Sequence, residues 1–266
     1  FFSKPLAEKL LREHPKADLL IGNNVLAHVP DINDFVTGLK MFLKEDGVIT
    51  MEFPHLLQLI EHCQFDTIYH EHFSYLSFTT AEKIFAKHGL TLFDVEEIPT
   101  HGGSLRIYAQ HNEYTASRGV EQSIYTLKEK EKSERITDAD CHLVFQQKVK
   151  KVKFELLDFI IHQKKGGVKI AAYGAAAKGN TLLNYCGIKK DMIDFVIDIS
   201  PHKQGKYLPG SHIPVVHEDE LRKQKPEFIL ILPWNIQNEI MEQLAYVKEW
   251  KAKFVIAIPE LKIIQS

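Results

Sequence analysis

The chain has 266 residues, enough for one large domain or two modest ones. Its formal net charge is −2 at pH 7 with 26% charged residues, so no basic field indicates a nucleic-acid or membrane partner. No apolar run approaches the roughly 20 residues that cross a bilayer. The scattered cysteines Cys63, Cys141 and Cys186 form no disulfide framework or CxxC zinc site, which predicts buried free thiols and a reducing, cytoplasmic location.

The first 117 residues alternate between short apolar runs and helical patterns. Helices are predicted over residues 5–14, 32–43 and 79–88, and strands over residues 17–22, 47–53, 90–98 and 105–110. Ser3 is a candidate N-cap, and the run at 17–22 is typical of a strand buried on both faces. The last two strands have no helix between them, which predicts an antiparallel end to the sheet. Residues 54–72 are predicted to be irregular.

Residues 119–165 are rich in lysine and glutamate, so their charges are mixed in sign. This pattern favours one or two amphipathic helices with solvated charged faces over a nucleic-acid arm. A second alternation follows, with strands over 168–173, 193–198, 228–232 and 254–258 and a helix over 237–247. It predicts a small doubly wound domain. The fold class is therefore α/β, with domains at 1–117 and 166–266 and a helical connector at 118–165.

A small-residue turn at residues 174–181 leads from a predicted strand into a helix. Free backbone N–H groups and the helix dipole attract anions there, and Lys178 adds a positive charge. Asp198, at the end of the next strand, sits where ribose-binding acids sit in dinucleotide folds. The alternative is a tight structural turn that binds nothing, and half a glycine fingerprint does not indicate NAD.

The sequence Tyr69-His70-Glu71-His72 places four proton-handling or ligating side chains in a row. A metal would need a further ligand from elsewhere, and the helical HExxH spacing is absent. Acid–base chemistry needs only a histidine, whose reference pKa is about 6.5, and partners such as Tyr69 and Glu71 that orient it. A polar loop with structural hydrogen bonds is the plainer alternative.

Two further loops follow or precede predicted strands. Asn23, Asn24 and His28 come after the first strand, where open sheets form ligand crevices, although an Asx-turn is the plainer interpretation. The second loop has two glycines that permit close backbone approach, and a hairpin-type turn is its plainer interpretation. Its residues are Thr100, His101, Gly102, Gly103 and Ser104.

The segments NNVLAHVPD, FDTIYHEHFSYLS, THGGSLR and AAYGAAAKGN, in this order, resemble the S-adenosylmethionine-dependent sugar C-methyltransferase family. Its members include C-3 methyltransferases of nucleotide-linked deoxy keto-sugars. The resemblance spans essentially the whole chain. It implies a zinc-binding N-terminal module, a central class I methyltransferase domain, and a C-terminal Rossmann-like domain that helps to bind the nucleotide-sugar. These 266 residues contain neither the zinc module nor the first strand of the central domain with its Gly-rich turn. We therefore expect a fragment whose class I Rossmann-like domain is partial.

The resemblance also implies roles. A proton α to a ketone is removed and the enolate carbon takes the methyl group, with His72 as the general base. Tyr69 and His28 would hydrogen-bond the sugar or enolate, and Glu71 would contact the substrate or cofactor and orient the histidines. Asn23 and Asn24 would lie near S-adenosylmethionine. The substrate would contact His70, Thr100, His101, Gly102, Gly103, Ser104, Gly174, Lys178, Gly179, Asn180 and Asp198.

An NAD-type oxidoreductase or a noncatalytic nucleotide-binding module is the alternative function. The resemblance implies zinc only in the N-terminal module, and no metal in this chain. Neither reading calls for a nucleic acid or a membrane, and the sequence does not indicate an oligomeric state.

Overall fold

The computed structural model describes residues 2–266, except for the side chains of residues 116 and 117. Phe1, where the predicted first domain begins, lies outside them. The chain forms two compact units. The N-terminal unit comprises Phe1–Glu61 and His70–Leu143, and the C-terminal unit comprises His62–Tyr69 and Val144–Ser266. No helix within residues 2–266 has the length and apolar character needed to cross a bilayer.

The N-terminal unit contains α1 (Lys4–Leu10), β1 (Ala17–Asn23), α2 (Ile32–Phe42), β2 (Leu43–Pro54), α3 (Leu56–Glu61), α4 (Phe78–Lys87), β3 (Leu90–Ile98), β4 (Ser104–His111), α5 (Thr115–Arg118) and α6 (Gln122–Ser133). Its strands form one sheet in the order β1-β2-β4-β3. β1 and β2 are parallel, whereas β4 is antiparallel to both β2 and β3. The predicted antiparallel end of the sheet is therefore confirmed.

Side-chain caps fix the starts of α1, α2 and α4 in this unit. Ser3 Oγ accepts a hydrogen bond from Leu6 N, as its predicted N-cap role requires, and Asp31 Oδ1 accepts one from Asp34 N. Ser77 Oγ does the same for Thr80 N at the start of α4. The three predicted helices are present, each shifted or shortened by one to a few residues at its ends.

Two predictions for the first 117 residues are wrong. β1 is not buried on both faces, because its alternate side chains point to opposite faces and only one face packs on the core. Leu20 lies against that core, while Leu19 and Ile21 are 52% and 65% exposed. Residues 54–72 are not irregular throughout either, since they contain α3 and a 3₁₀ turn at Phe65–Thr67.

The C-terminal unit is doubly wound, as predicted. It contains most of α7 (Ala139–Lys165), then β5 (Ile170–Tyr173), α8 (Ala177–Cys186), β6 (Phe195–Ile197), β7 (Val215–Val216), α9 (Asp219–Gln224), β8 (Phe228–Ile231), α10 (Gln237–Gln243), β9 (Lys253–Ile256) and β10 (Lys262–Gln265). The sheet order is β10-β9-β8-β5-β6-β7, and only the pairing of β10 with β9 is antiparallel. The chain order reverses between β5 and β8, which is where such sheets bind ligands.

The charged stretch at 119–165 does not form a connector of its own. Ile124 and Leu127 of α6 pack in the core of the N-terminal unit, whereas the apolar face of α7 packs in the C-terminal unit. The compact units therefore follow other boundaries than 1–117, 118–165 and 166–266. Nor are all the charged faces solvated, because Glu131 of α6 is only 1% exposed.

Residues His62–Tyr69 belong to the C-terminal unit although they lie between α3 and α4 in the chain. Cys63 and Phe65 are buried in the same core as Cys186 of α8. Burial raises the pKa of the thiols of Cys63 and Cys186 to about 11, so both are unreactive thiols at neutral pH. The expectation of a buried thiol is wrong for Cys141, which is partly exposed on the first turn of α7.

Candidate functional site

Two of the predicted histidines are in ring contact at the carboxyl end of β1. His28 ends the 3₁₀ turn Leu26–His28, and its ring centroid lies 4.8 Å from that of His72, with the planes at 68°. The backbone next to His72 is fixed because Phe73 N donates to Ala27 O at 2.8 Å. The Tyr75 ring packs edge-on against His72 at 5.7 Å. The pair can therefore accept a proton at one imidazole and offer a hydrogen bond from the other.

The other members of the four-residue motif are placed differently. His70 and Glu71 are exposed side chains of the N-terminal unit, whereas Tyr69 is the last residue of the segment that belongs to the C-terminal unit. The motif thus spans the point where the chain passes from one unit to the other. Within residues 2–266, no three His, Cys, Asp or Glu side chains are grouped so as to hold a metal ion.

Asn24 and His101 form a second pair at the same edge of the sheet. Asn24 Nδ2 and His101 Nε2 are 2.9 Å apart, and Asn24 N donates to Glu52 O at 2.9 Å. Both Asn24 and His101 have left-handed backbones, with φ of 55° and 57°. Such conformations cost free energy in non-glycine residues and persist where surrounding contacts hold them, commonly at functional sites.

A buried carboxylate that the sequence analysis missed holds the loop of residues 100–104. Glu52, at the end of β2, is 5% exposed and accepts a hydrogen bond from Thr100 Oγ1 at 2.9 Å. Its other oxygen lies 3.3 Å from Arg106 Nη2. The available signal was an acidic residue inside the apolar strand run at 47–53, since a buried carboxylate needs partners.

The glycines of this loop allow a close approach to α3. Gly103 has φ of 120°, and a Cβ there would lie 2.8 Å from Gln58 Cγ, so only glycine fits without a shift. Gly103 O accepts a hydrogen bond from His55 N, and Ser104 Oγ donates to Thr100 O. A cavity of about 460 Å³ opens beside the loop, lined by Gln58, Glu97, Ile98, Pro99, Gly102, Gly103 and Ser104.

In the C-terminal unit the predicted small-residue turn lies at the switch point between β5 and β8. Lys178 Nζ lies 4.7 Å from the centroid of the Trp234 ring and donates to Asn235 Oδ1 at 2.7 Å. The N-cap of α8, Ala176, has no side chain that could cap the first helical N–H groups. A cation and uncapped N–H groups therefore meet at one edge of this sheet, which is the combination that suits an anion.

The glycines of this turn have a packing role. A Cβ on Gly174, where φ is 93°, would lie 2.5 Å from Pro233 Cγ, and one on Gly179 would lie 2.7 Å from Leu232 Cβ. They let the turn and α8 approach the chain that leaves β8. Asn180 begins the second turn of α8, and its Oδ1 is buried without a hydrogen-bond partner among the described residues.

Asp198 is 6% exposed and already has three donors. Its Oδ2 accepts from Ala175 N at 2.8 Å and Lys203 Nζ at 3.0 Å, and its Oδ1 accepts from Ser200 N at 2.9 Å. The carboxylate therefore braces the small-residue turn from the end of β6.

Asp66 is the second buried carboxyl that sequence analysis missed. It lies on the 3₁₀ turn Phe65–Thr67, is 0% exposed, and its Oδ2 accepts a hydrogen bond from Trp234 Nε1 at 2.8 Å. Oδ1 has no hydrogen-bond partner in the described part of the chain. Burial raises the pKa of Asp66 to about 7, against the opposing effects of the indole N–H and of Lys178.

Comparison with known proteins identifies a family and a curated relative. The profile of the family described as the C-methyltransferase C-terminal domain matches residues 99–259. The C-methyltransferase NovU of Streptomyces niveus is 32% identical over 265 residues, which is 100% of this chain and 63% of that protein. The chain therefore spans a little under two thirds of this curated relative.

Solved structures give weaker matches. Magnesium protoporphyrin IX methyltransferase of Synechocystis PCC 6803 is 15% identical with a TM-score of 0.29, over 36% of this chain and 45% of that one. The PH0226 protein of Pyrococcus horikoshii OT3 is 18% identical with a TM-score of 0.32, over 40% of this chain and 56% of that one. Scores this low carry no argument about fold or function.

Proposed function

Because the chain belongs to the C-methyltransferase C-terminal domain family, we propose that the protein is an S-adenosylmethionine-dependent C-methyltransferase. Its substrate would be a nucleotide-linked deoxysugar, methylated at a carbon α to a ketone. The observation that carries this proposal is the contact between His28 and His72 at the end of β1. The relative named a C-methyltransferase supports this proposal, since the whole length of the present chain aligns with part of that relative.

Methylation of carbon requires a carbon nucleophile, and a ketone provides one when a base removes the neighbouring proton. His72 is the proposed base: an imidazole nitrogen takes the α-proton, and the electron pair of the C–H bond becomes the enolate. His28, 4.8 Å away between ring centroids, would donate a hydrogen bond to the developing enolate oxygen. The enolate carbon would then take the methyl group as the bond between that methyl and the sulfonium sulfur breaks, leaving S-adenosylhomocysteine, and the proton on His72 would pass to solvent.

S-adenosylmethionine, when bound, supplies the electrophilic methyl group. The polar edge after β1 suits part of such a cofactor, because the amides of Asn23 and Asn24 can donate to and accept from its hydroxyl and amino groups. Asn23 is exposed there, and the amide of Asn24 is oriented by its contact with His101. These two residues would therefore hold and orient the cofactor, with no further role in proton transfer.

The remaining residues of the motif would assist His72. We assign to Tyr69 a hydrogen bond to the substrate, to Glu71 the orientation of the neighbouring histidines, and to His70 a substrate contact. The loop of residues 100–104, fixed by Glu52 through Thr100, would contact the substrate from the N-terminal unit. Its rigidity favours a role in positioning, which contributes to rate when reacting groups must be aligned.

The switch point of the C-terminal unit is the proposed site for the nucleotide diphosphate. Lys178 would pair with a phosphate, and the uncapped N–H groups at the start of α8 would donate to it. Asn180 would contribute its amide, and Gly174 and Gly179 would keep the turn compact. Asp198 would support the site by holding Ala175 N. A cytoplasmic location would suit the three free cysteines.

The test is an assay of the protein expressed from its complete coding sequence, with S-adenosylmethionine carrying a ¹³C-labelled methyl group and a nucleotide-linked keto-sugar. We expect a labelled methyl carbon bonded to carbon in the product by NMR spectroscopy. His72→Asn should lower turnover by about 10²-fold or more, as loss of a general base does. The exposed His14→Asn is the matched control and should retain wild-type turnover.

Wild-type turnover in His72→Asn would remove His72 as the base. Binding of NAD without any methyl transfer would instead support the oxidoreductase or binding-module alternative. A calorimetric titration with NAD, run beside the assay, measures that binding separately from methyl transfer.

A further inference from the structure

A carboxyl, an indole and an ammonium group form a chain of contacts at the switch point of the C-terminal unit. Asp66 Oδ2 accepts from the indole N–H of Trp234 at 2.8 Å, and Lys178 Nζ stands over the face of the same indole at 4.7 Å from its centroid. All three residues belong to one compact unit. Asp66 comes from the segment His62–Tyr69, which precedes the histidines of the proposed active site in the chain.

We propose that Asp66 is a positioning residue for a phosphate-bearing ligand at this switch point, acting on Lys178 through Trp234. The proposal rests on the proposed function in that the same lysine is assigned to the nucleotide diphosphate there. Asp66 itself is fully buried and does not reach the ligand. Its hydrogen bond fixes the orientation of the indole, and the indole face in turn fixes the ammonium group.

The geometry of Asp66 is that of a carboxyl whose charge is poorly compensated. One oxygen has a single neutral donor, Trp234 Nε1, and the other has none among the described residues. A buried carboxylate normally needs several donors or a paired cation, so the neutral acid is favoured. Burial accordingly raises the pKa of Asp66 to about 7.

The protonation of Asp66 would set the net charge that a ligand phosphate meets. With Asp66 neutral, Lys178 is an uncompensated cation, whereas ionised Asp66 offers it an internal counter-charge. Burial lowers the pKa of Lys178, and the carboxyl of Asp66 opposes that shift, so each group acts on the other. Affinity for a phosphate group is therefore expected to fall as the pH rises through about 7.

Other titratable groups lie on the segment of Asp66 and on the helices packed against it. Cys63 lies on the same segment, and burial raises the pKa of its thiol to about 11, so it stays neutral between pH 6 and pH 8. Lys148 of α7 acts on Cys63, and Tyr185 of α8 contacts the Phe65 ring. His62 and Tyr69 end the segment itself. The Asp66→Asn variant therefore decides whether Asp66 or another of these groups carries the pH dependence.

The decisive measurement is calorimetric titration of the complete protein with thymidine diphosphate glucose at pH 6 and pH 8. Both phosphates of this probe are esterified, so the probe does not titrate in that range. We expect wild-type affinity to fall about tenfold from pH 6 to pH 8, as for a buried charge several ångströms from a phosphate. Asp66→Asn, neutral at both pH values, should bind with similar affinity at both.

Two further variants separate positioning from a structural effect. Asp191→Asn removes an exposed carboxylate of the same unit and should keep the wild-type pH dependence. Trp234→Phe retains a ring beneath Lys178 but removes the N–H donor that lowers the pKa of Asp66. The pH midpoint of binding should therefore rise in Trp234→Phe, a shift that simple loss of folding would not produce.

Tryptophan fluorescence gives a readout that needs no ligand. When these 266 residues are expressed with Trp250→Phe, Trp234 is the one tryptophan left in the expressed chain, and its emission should titrate with a midpoint near pH 7 unless Asp66 is also replaced by asparagine. Equal pH dependence of binding in wild type and Asp66→Asn would overturn the positioning role, as would absence of binding at both pH values. If thymidine diphosphate glucose binds with the expected pH dependence but no methyl transfer is detected, only the proposed function is overturned.

Discussion

Glu131 Oε1 accepts a hydrogen bond from His55 Nε2 at 2.8 Å, and both side chains are almost fully buried, at 1% and 0% exposure. The same carboxylate accepts from Phe78 N at 2.6 Å and from Thr79 N at 2.9 Å. It thereby joins α6 to the start of α4 and to the residue that follows β2. His55 N in turn holds Gly103 O, so this network supports the loop proposed to contact substrate.

Glu131→Gln should destabilise the N-terminal unit by about 3 kcal/mol, because a buried network loses its charge and an acceptor oxygen. Chemical denaturation measures this. Glu129→Gln on the same helix is the control: its partner Lys132 is 3.8 Å away and both side chains are more than 70% exposed. We expect the control to change stability by less than about 0.5 kcal/mol. Equal effects would contradict a specific role for Glu131.

The network should also make stability sensitive to acid. Burial acts to raise the pKa of Glu131, but hydrogen bonds from His55, Thr79 and Phe78 outweigh it and hold the pKa below its usual value. The unfolded state therefore binds a proton first as the pH falls. The stabilisation is complete above about pH 4.3, the usual glutamate pKa, and is lost as the pH falls through the lower folded value.

Thermal unfolding from pH 6 to pH 3 checks this direction. Wild type should lose more stability on acidification than Glu131→Gln, whose amide does not titrate. A parallel pH dependence in the two proteins would show that other carboxylates carry the acid sensitivity.

Gly179→Ala tests the packing of the turn at the switch point. The added Cβ would lie 2.7 Å from Leu232 Cβ, and Leu232 is only 1% exposed. We expect a loss of about 1–3 kcal/mol from overpacking, reduced by the better helix propensity of alanine. Gly166→Ala is the control, because its nearest atom would be 3.3 Å away at an exposed position. A stabilising effect of Gly179→Ala would contradict the packing role.

The individual helices and strands could be predicted from the sequence. A continuous apolar run such as residues 228–232 predicts a buried strand whichever strands lie beside it. Strand order could not, since it depends on pairings between distant segments. β1 shows the limit: its run of apolar residues fits burial on both faces, yet Leu19 and Ile21 are exposed. A sequence window does not say which faces another element covers.

The candidate site was partly predictable. The His28–His72 contact joins two motifs that the sequence had already singled out, 44 positions apart in the chain. Asp66 was missed because its partner Trp234 is 168 positions away and neither residue is unusual in its own window. Glu131 left a signal that went unused: it lies four residues after Leu127 and seven after Ile124, on the apolar face of α6.

The most direct test of the account is hydrogen exchange at the sugar carbon, without S-adenosylmethionine. The complete protein is incubated in deuterium oxide with a nucleotide-linked keto-sugar, and proton NMR follows loss of the α-hydrogen signal. If His72 is the base, the wild-type protein should exchange that hydrogen faster than buffer alone does. The His72→Asn variant should exchange it at least about 10²-fold more slowly than wild type. Exchange in His72→Asn at the wild-type rate would contradict the account.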